Sequence, residues 1–405
     1  MGELDLEALR AAYSRFLAPP AGQGAARRIL LTGHSHQAWP DVARDALVAC
    51  FDEAAAYCDD KWEEAVFPRV QAVGEAVLGR MGFSPGDAIA FGRSTHELVF
   101  RLITCLPIMG QSAQPAQRAR RTRIVTTTAE FHSLRRQLAR FEEEGIEVVW
   151  IDAAPREALA ERLLAAITPG TDMVALSAVI FEDAYVVPRL GEIVARAVEV
   201  GAIPLVDAYH AFNVVPVDWG PARDALFVTA GGYKYAGCGE GICWLRVPAG
   251  SALRPVDTGW FADFGALAAE AGGAVTYGPG GARFAGATFD PTAFYRAAAV
   301  LAHWDRFGLT VARLRAISLG QTGRILARLD EAGLGDTVAS PRDPERRGGF
   351  VAVRSPRAGE VVGRLRERGV FVDSRRDLLR LGPAPYLTDA EIDEGVLAAA
   401  AELQR

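Results

Sequence analysis

The sequence predicts an α/β fold, with a mainly parallel sheet between helices and a smaller α+β unit toward its C-terminal end. Three observations lead there. Short β-branched runs alternate with amphipathic helical segments from about residue 87 to residue 247, a rhythm that builds a parallel sheet covered on both faces. The chain of 405 residues exceeds one ordinary core, so two substructures are expected. Beyond about residue 290 the alternation yields to two long helices and a strand-rich stretch.

Each element follows from its residues. "DVARDALVACFDEAAAYC" and "EEAVFPRVQAVGEAVLGRMG" repeat apolar residues every three or four positions, which predicts helices over 41–58 and 63–82. Asp41 behind Pro40 is a helix start. Next come "DAIAFG" as strand, "STHELVFRLITCL" as helix, "RIVTTT" as strand, "SLRRQLARFEEEG" as helix and "IEVVWID" as strand. "REALAERLLAAI" and "RLGEIVARAVEVG" read as helices around the strand "DMVALSAV", and "IPLVDA", "DALFVTAG" and "GICWLRV" complete the strands. Ligands of such sheets sit at the carboxyl ends of the strands. The helices "TAFYRAAAVLAHWDRFG" and "TVARLRAISLGQTGRILARLDEAG" open the C-terminal unit, followed by the strand "GGFVAVRS" and the helix "AGEVVGRLRERG". The organisation expected is an N-terminal segment 1–45 contributing to the active site, a large domain 46–285 and a small domain 286–405, with the glycine-rich stretch 265–289 as the connection.

Composition narrows the function. Half of the residues are hydrophobic and 23% are charged, as in a globular protein with a large core. The net charge is −6, and the one basic cluster, "RARRTR" at 118–123, adjoins a Gln/Ala/Arg patch at 111–121 and reads as a solvated connection. Nucleic acid is therefore not an expected partner. No apolar run reaches membrane-spanning length, and the acidic start "MGELDLEALRAAYSRFLAPP" lacks the pattern of a signal peptide. Five scattered cysteines, Cys50, Cys58, Cys105, Cys238 and Cys243, read as reduced thiols of a cytoplasmic protein, with no metal site expected.

The chemistry concentrates in "VDAYHAFNVVPVDWGPARDALFVTAGGYKYAGCGEG", residues 206–241. One apolar strand ends on Asp207 with His210 three residues on, and the next ends in glycines that present Lys234 between two tyrosines. A carboxylate at a buried strand end needs a partner. A protonated pyridine nitrogen would supply one, and so would the amides of a following turn. A lysine meant for covalent carbonyl chemistry needs its amine neutralised by desolvation or by neighbouring cations. Read locally, Lys234 is equally compatible with a surface charge.

In order and spacing, Asp207, His210 and Lys234 in "GGYKY" resemble the kynureninase branch of the class V aminotransferase superfamily, over roughly residues 30–390. The superfamily belongs to the fold-type-I enzymes dependent on pyridoxal 5'-phosphate (PLP). The resemblance implies a fold-type-I PLP-dependent transferase fold with a seven-stranded-type sheet. Asp207 and His210 would then hold the cofactor ring, and Lys234 would occupy the Schiff-base position. "FGRSTHELVFRLI" is similar to the phosphate-cradling turn, which implies that Ser94 and Thr95 contact the phosphate; a helix N-terminus favours that anion, and a plain N-cap is compatible with it. "TTTAEFHSLRR" would place Phe131 over the ring, with His132 beside it as a second candidate or a turn residue. By the same resemblance Tyr233 bonds the phosphate, Trp260 in "DTGWFADFG" matches a "G-W" segment or is simply core, and Thr288 in "FAGATFD" reaches the phosphate of a neighbouring subunit. A homodimer with shared active sites follows from that last role. Arg380, before an apolar-Pro-x-Pro run, would bind the substrate carboxylate in a planar fork, unless it is a surface arginine.

Two departures bear on specificity. "LTGHSHQAWP" replaces the family's "G-N-S-L-G", which puts His34 and His36 where a substrate is expected. The asparagine that many relatives carry near the ring hydroxyl is absent, and "VIFEDAY" stands there. The function expected is kynureninase-like lyase or hydrolase chemistry on the side chain of an amino acid other than kynurenine. The alternatives are a class V aminotransferase and a non-catalytic PLP-fold protein that binds or regulates. A cysteine desulfurase is disfavoured because no cysteine follows Cys243.

Overall fold

The computed structural model describes residues 4–18, 27–107, 121–266 and 273–405. Residues 111–120 of the Gln/Ala/Arg patch, which include the first half of the arginine cluster, and the stretch 267–272 of the glycine-rich connection lie outside the described residues. Two short helices, Leu6–Ala11 (α1) and Ser14–Leu17 (α2), precede the strand Ile29–Leu30 (β1) and the helix Val42–Tyr57 (α3). The single helix expected over 63–82 is divided into a π-helical turn, Trp62–Val66, and the helix Phe67–Arg80 (α4). Pro68, in the first turn of α4, is the physical reason. It has no amide to continue a preceding helix, yet its fixed φ suits the start of a new one.

The predicted alternation then runs through Ala88–Gly92 (β2), Thr95–Ile103 (α5), Arg123–Thr127 (β3), His132–Glu143 (α6), Glu147–Ile151 (β4) and Leu159–Ala166 (α7). It continues through Met173–Ser177 (β5), Leu190–Glu199 (α8), Ile203–Asp207 (β6), Phe227–Gly231 (β7) and Cys243–Val247 (β8). Among the described residues these strands form one seven-stranded sheet of order β2-β8-β7-β6-β5-β3-β4. Neighbouring pairs are parallel from β7 to β4, while β8 is antiparallel to both β7 and β2. Strands β5, β7 and β8 are buried along their whole lengths, as unbroken apolar strands with both faces covered must be.

Two consequences position the site. Because β2 opposes β8 and β8 opposes β7, β2 runs the same way as the parallel strands. The carboxyl ends of β2, β3, β5, β6 and β7 therefore meet at one edge of the sheet. Registers place Ser177 beside Asp207 and Asp207 beside Thr229 at that edge.

The C-terminal part contains Thr292–Arg306 (α9), Val311–Glu331 (α10), Val351–Arg354 (β9), Ala358–Glu367 (α11), Val370–Phe371 (β10), Asp373–Arg375 (β11), Leu378–Leu381 (β12) and Asp389–Leu403 (α12). Thr388 and Glu391 close a reciprocal capping box at the start of α12. Strands β11, β12 and β9 form an antiparallel sheet in which Asp373 faces Arg380. The N-terminal segment is sewn to this part: β1 pairs in parallel with β10, and Gly33 and Gly382 bond through N–H to O at 2.9 Å. The same segment reaches the lysine loop, where the Gln37 amide donates to the Tyr233 carbonyl at 3.1 Å. No helix among the described residues is long and apolar enough to cross a membrane.

Candidate active site

A cavity of about 280 Å³ opens at the shared edge of carboxyl ends. Its wall includes Ser94 and Thr95 after β2, Phe131 after β3, Ser177 at the end of β5, Asp207 and His210 after β6, and Tyr233 and Lys234 after β7. Seven of the residues singled out in the sequence therefore meet in one place.

Lys234 is buried, and its Nζ lies 2.8 Å from His210 Nε2. The rings of Tyr209, Phe131 and Tyr233 surround that amine, with centroids at 4.4, 5.1 and 5.6 Å. Its pKa is lowered from 10.5 to about 7, first by loss of hydration and then by the charges of Arg380 and Arg375, against the pull of Asp207. Burial likewise holds the His210 imidazole well below its usual range, reinforced by the positive charges of Lys234 and Arg380. With Lys234 as donor, neutral His210 accepts at Nε2 and carries its proton on Nδ1, a buried atom with no hydrogen-bond partner in the structure.

Asp207 accepts the Tyr209 amide at 2.8 Å, and burial raises its carboxyl above the usual range while that amide and Lys234 draw it down. Ser94 caps α5 by accepting the Glu97 amide at 3.2 Å, so the N-terminus of α5 faces the cavity at the side where Ser94 and Thr95 line it. Phe131 stands at the N-terminus of α6 and meets Phe181 edge to face at 5.3 Å.

The remaining predicted residues fall into two groups. His34 is fully buried and bonds Asp373 through Nε2 at 2.8 Å, and Arg380 grips the same carboxylate from the other side with its Nε at 2.9 Å. Neither side chain belongs to the cavity wall. His36 is exposed at the rim, stacked on Tyr233 at 5.1 Å and 3.5 Å from Glu240, which lines the cavity. Trp260 and Thr288, by contrast, are exposed and lie outside the cavity of their own chain. Trp260 is not core: it packs on Phe261 and Phe264 at the surface.

Several residues of the site were not singled out in the sequence. Glu130, next to Phe131, is buried and accepts the hydroxyls of Ser177 and Thr127, each at 2.6 Å. Burial raises its pKa to about 7 despite those bonds. Tyr209 stands between Asp207 and His210 and covers the lysine. Phe181 occupies the segment that lacks the expected asparagine and gives its carbonyl to Arg380 at 2.5 Å. Strand register carries the signal that would have found Asp373, since it is the residue paired with Arg380.

The donor set suits a phosphorylated pyridine aldehyde. A neutralised amine, a carboxylate on the same cavity wall, an aromatic wall and a helix N-terminus for an anion are all present, with an imidazole bonded to the amine through Nε2.

Comparisons with known proteins agree. Residues 314–398 match the family model of the kynureninase C-terminal domain. Kynureninase from Pseudomonas fluorescens is 26% identical over 339 residues, covering 80% of this chain and 77% of its own. The uncharacterized aminotransferase YcbU of Bacillus subtilis (strain 168) is 27% identical over 221 residues, 53% of this chain and 55% of its own. Among solved structures, a C-DES mutant with glycine covalently linked to its PLP cofactor superposes with a TM-score of 0.77 at 18% identity, covering 94% of this chain and 99% of that one. The chain thus has the fold of the fold-type-I PLP-dependent enzymes. In sequence, it is similar to kynureninases, over residues 314–398 by the family model and over 339 residues to the Pseudomonas fluorescens enzyme.

Proposed function

We propose that this protein is a PLP-dependent enzyme that acts on the side chain of an amino acid, by lyase or hydrolase chemistry of the kynureninase kind. The observation that carries the reading is the buried amine of Lys234, with a pKa of about 7, in one cavity with Asp207 and the N-terminus of α5. Lys234 would hold the cofactor covalently, Asp207 its ring nitrogen, Phe131 its ring face, and Ser94, Thr95 and Tyr233 its phosphate. When bound, PLP supplies an electron sink for bonds to the substrate α-carbon.

The chain's own residues supply the rest. Uncharged Lys234 Nζ is the base for the proton on the substrate α-carbon, and neutral His210 Nε2 accepts a hydrogen bond from that amine and orients it. Burial opposes the charge of Asp207, so a cation such as a protonated ring nitrogen would stabilise its carboxylate. Arg380 receives the substrate carboxylate. Trp260 and Thr288 serve the site of a second copy, which makes a homodimer the functional unit; their exposure at the surface of one chain supports that reading.

Product analysis with an amino-acid panel tests the reaction. Alanine plus a carboxylic acid identifies hydrolytic Cβ–Cγ cleavage, and ammonia plus pyruvate identifies β-elimination. Turnover that depends on an added amino acceptor would instead make the protein an aminotransferase, the reading favoured by its similarity to YcbU.

A further inference from the structure

We propose that His34 is a positioning residue: through the carboxylate of Asp373 it holds the guanidinium of Arg380 in the orientation that receives the substrate carboxylate. The inference rests on the reading of Arg380 as the substrate-carboxylate contact.

Three side chains carry it. Asp373 Oδ1 is shared by His34 Nε2 at 2.8 Å and Arg380 Nε at 2.9 Å, and Asp373 Oδ2 accepts Arg380 Nη2. Arg380 Nη1 donates to the carbonyl of Phe181 at 2.5 Å. An arginine has five N–H groups. Three are used here, and the two that remain sit one on each terminal nitrogen, the pair that a carboxylate engages in bidentate fashion. The guanidinium is thus anchored through Nε, Nη1 and Nη2, with one further N–H on each terminal nitrogen.

His34 itself cannot be a substrate contact in this arrangement. Its side chain has no solvent exposure, and its ring stacks on Phe350 at 4.5 Å. The backbone of Gly382 closes the remaining side so tightly that a Cβ there would lie 2.0 Å from His34 Nδ1. Burial lowers the pKa of the ring to about 4, so near neutral pH it is uncharged and gives Nε2–H to the Asp373 carboxylate. Without that bond Asp373 Oδ1 retains only Arg380, and the carboxylate is free to swing and take the arginine with it.

The test uses the PLP-loaded protein and three variants: His34→Phe, which keeps the ring stack and removes the donor, His34→Gln, which offers a donor near the Nε2 position, and Asp373→Asn. Dissociation constants are read from the cofactor's spectral change with those of alanine, aspartate and phenylalanine that perturb the wild type. His34→Phe is expected to retain cofactor absorbance and to weaken every one of these amino acids by a similar factor of about ten. His34→Gln is expected to return to within about threefold of wild type, and His34→Phe should add little in the Asp373→Asn background. Unchanged affinity in His34→Phe, a loss confined to one amino-acid side chain, or no recovery in His34→Gln would overturn the proposal. Wild-type protein without cofactor absorbance would overturn the reading beneath it, and the proposal with it.

Discussion

The amine of Lys234 has exchanged water for three aromatic rings and an imidazole, and that exchange sets its chemistry. A carbonyl adds only to a neutral amine, and the group titrates near 7, where an ordinary lysine would be almost fully charged. The rate of PLP uptake by the apoprotein is therefore expected to rise with pH through a midpoint near 7, in stopped-flow absorbance; a midpoint near 10 would contradict it. Glu130 shows the opposite sign. Its folded pKa of about 7 lies above that of a free carboxyl, so its contribution is fully present below about pH 4.5 and is lost as pH rises through 7. Thermal unfolding should show wild type losing on the order of 3 kcal/mol relative to Glu130→Gln between pH 5 and 8. Lys234, Asp207 and His210 were legible in the sequence because their order and spacing at the ends of apolar strands carry a family resemblance, where strand ends alone left Lys234 equally compatible with a surface charge. Glu130 was not, since "TAEF" reads as an ordinary turn until Ser177, 47 residues away, is seen to bond it.

At the scale of elements, the hairpin of β11 and β12 does more than its short length suggests. It pairs Asp373 with Arg380 and brings Arg380 to the carbonyl of Phe181, a residue of the cavity wall. Arg380→Ala would leave a largely buried carboxylate with only a neutral histidine and a distant Arg375, and is expected to cost about 3 kcal/mol in denaturant unfolding. Gly382→Ala should destabilise by about 1–3 kcal/mol, because the new methyl group would overlap His34 Nδ1. The strands and helices of the large sheet were readable from periodicity alone, to within a few residues of their observed ends. Tertiary contacts decided the rest. Pro68 divided one predicted helix from within, and the attachment of β1 to β10, across 340 residues of chain, has no local signal.

Over the whole molecule, a single chain leaves several large apolar side chains in water. Phe51 is 75% exposed, and Trp260 and Phe264 are each more than 40% exposed. Exposed apolar patches mark association surfaces, and Phe261, next to Trp260, gives its amide to the Gly286 carbonyl in the segment that bears Thr288. A dimer in sedimentation analysis is expected. Mixing the inactive variants Lys234→Ala and Thr288→Ala should restore part of the activity, because a mixed dimer rebuilds one complete site; a mixture no more active than its components would contradict shared sites. The resemblance in sequence pointed to a partner, but which aromatic residues remain uncovered became visible only in the fold.

The central claim is that Lys234 carries the cofactor. Purified protein incubated with PLP and reduced with borohydride should yield, by peptide mass spectrometry, a single pyridoxyl-phosphate adduct on the peptide containing Lys234, and none in Lys234→Ala. An adduct on other lysines with Lys234 unmodified would contradict it.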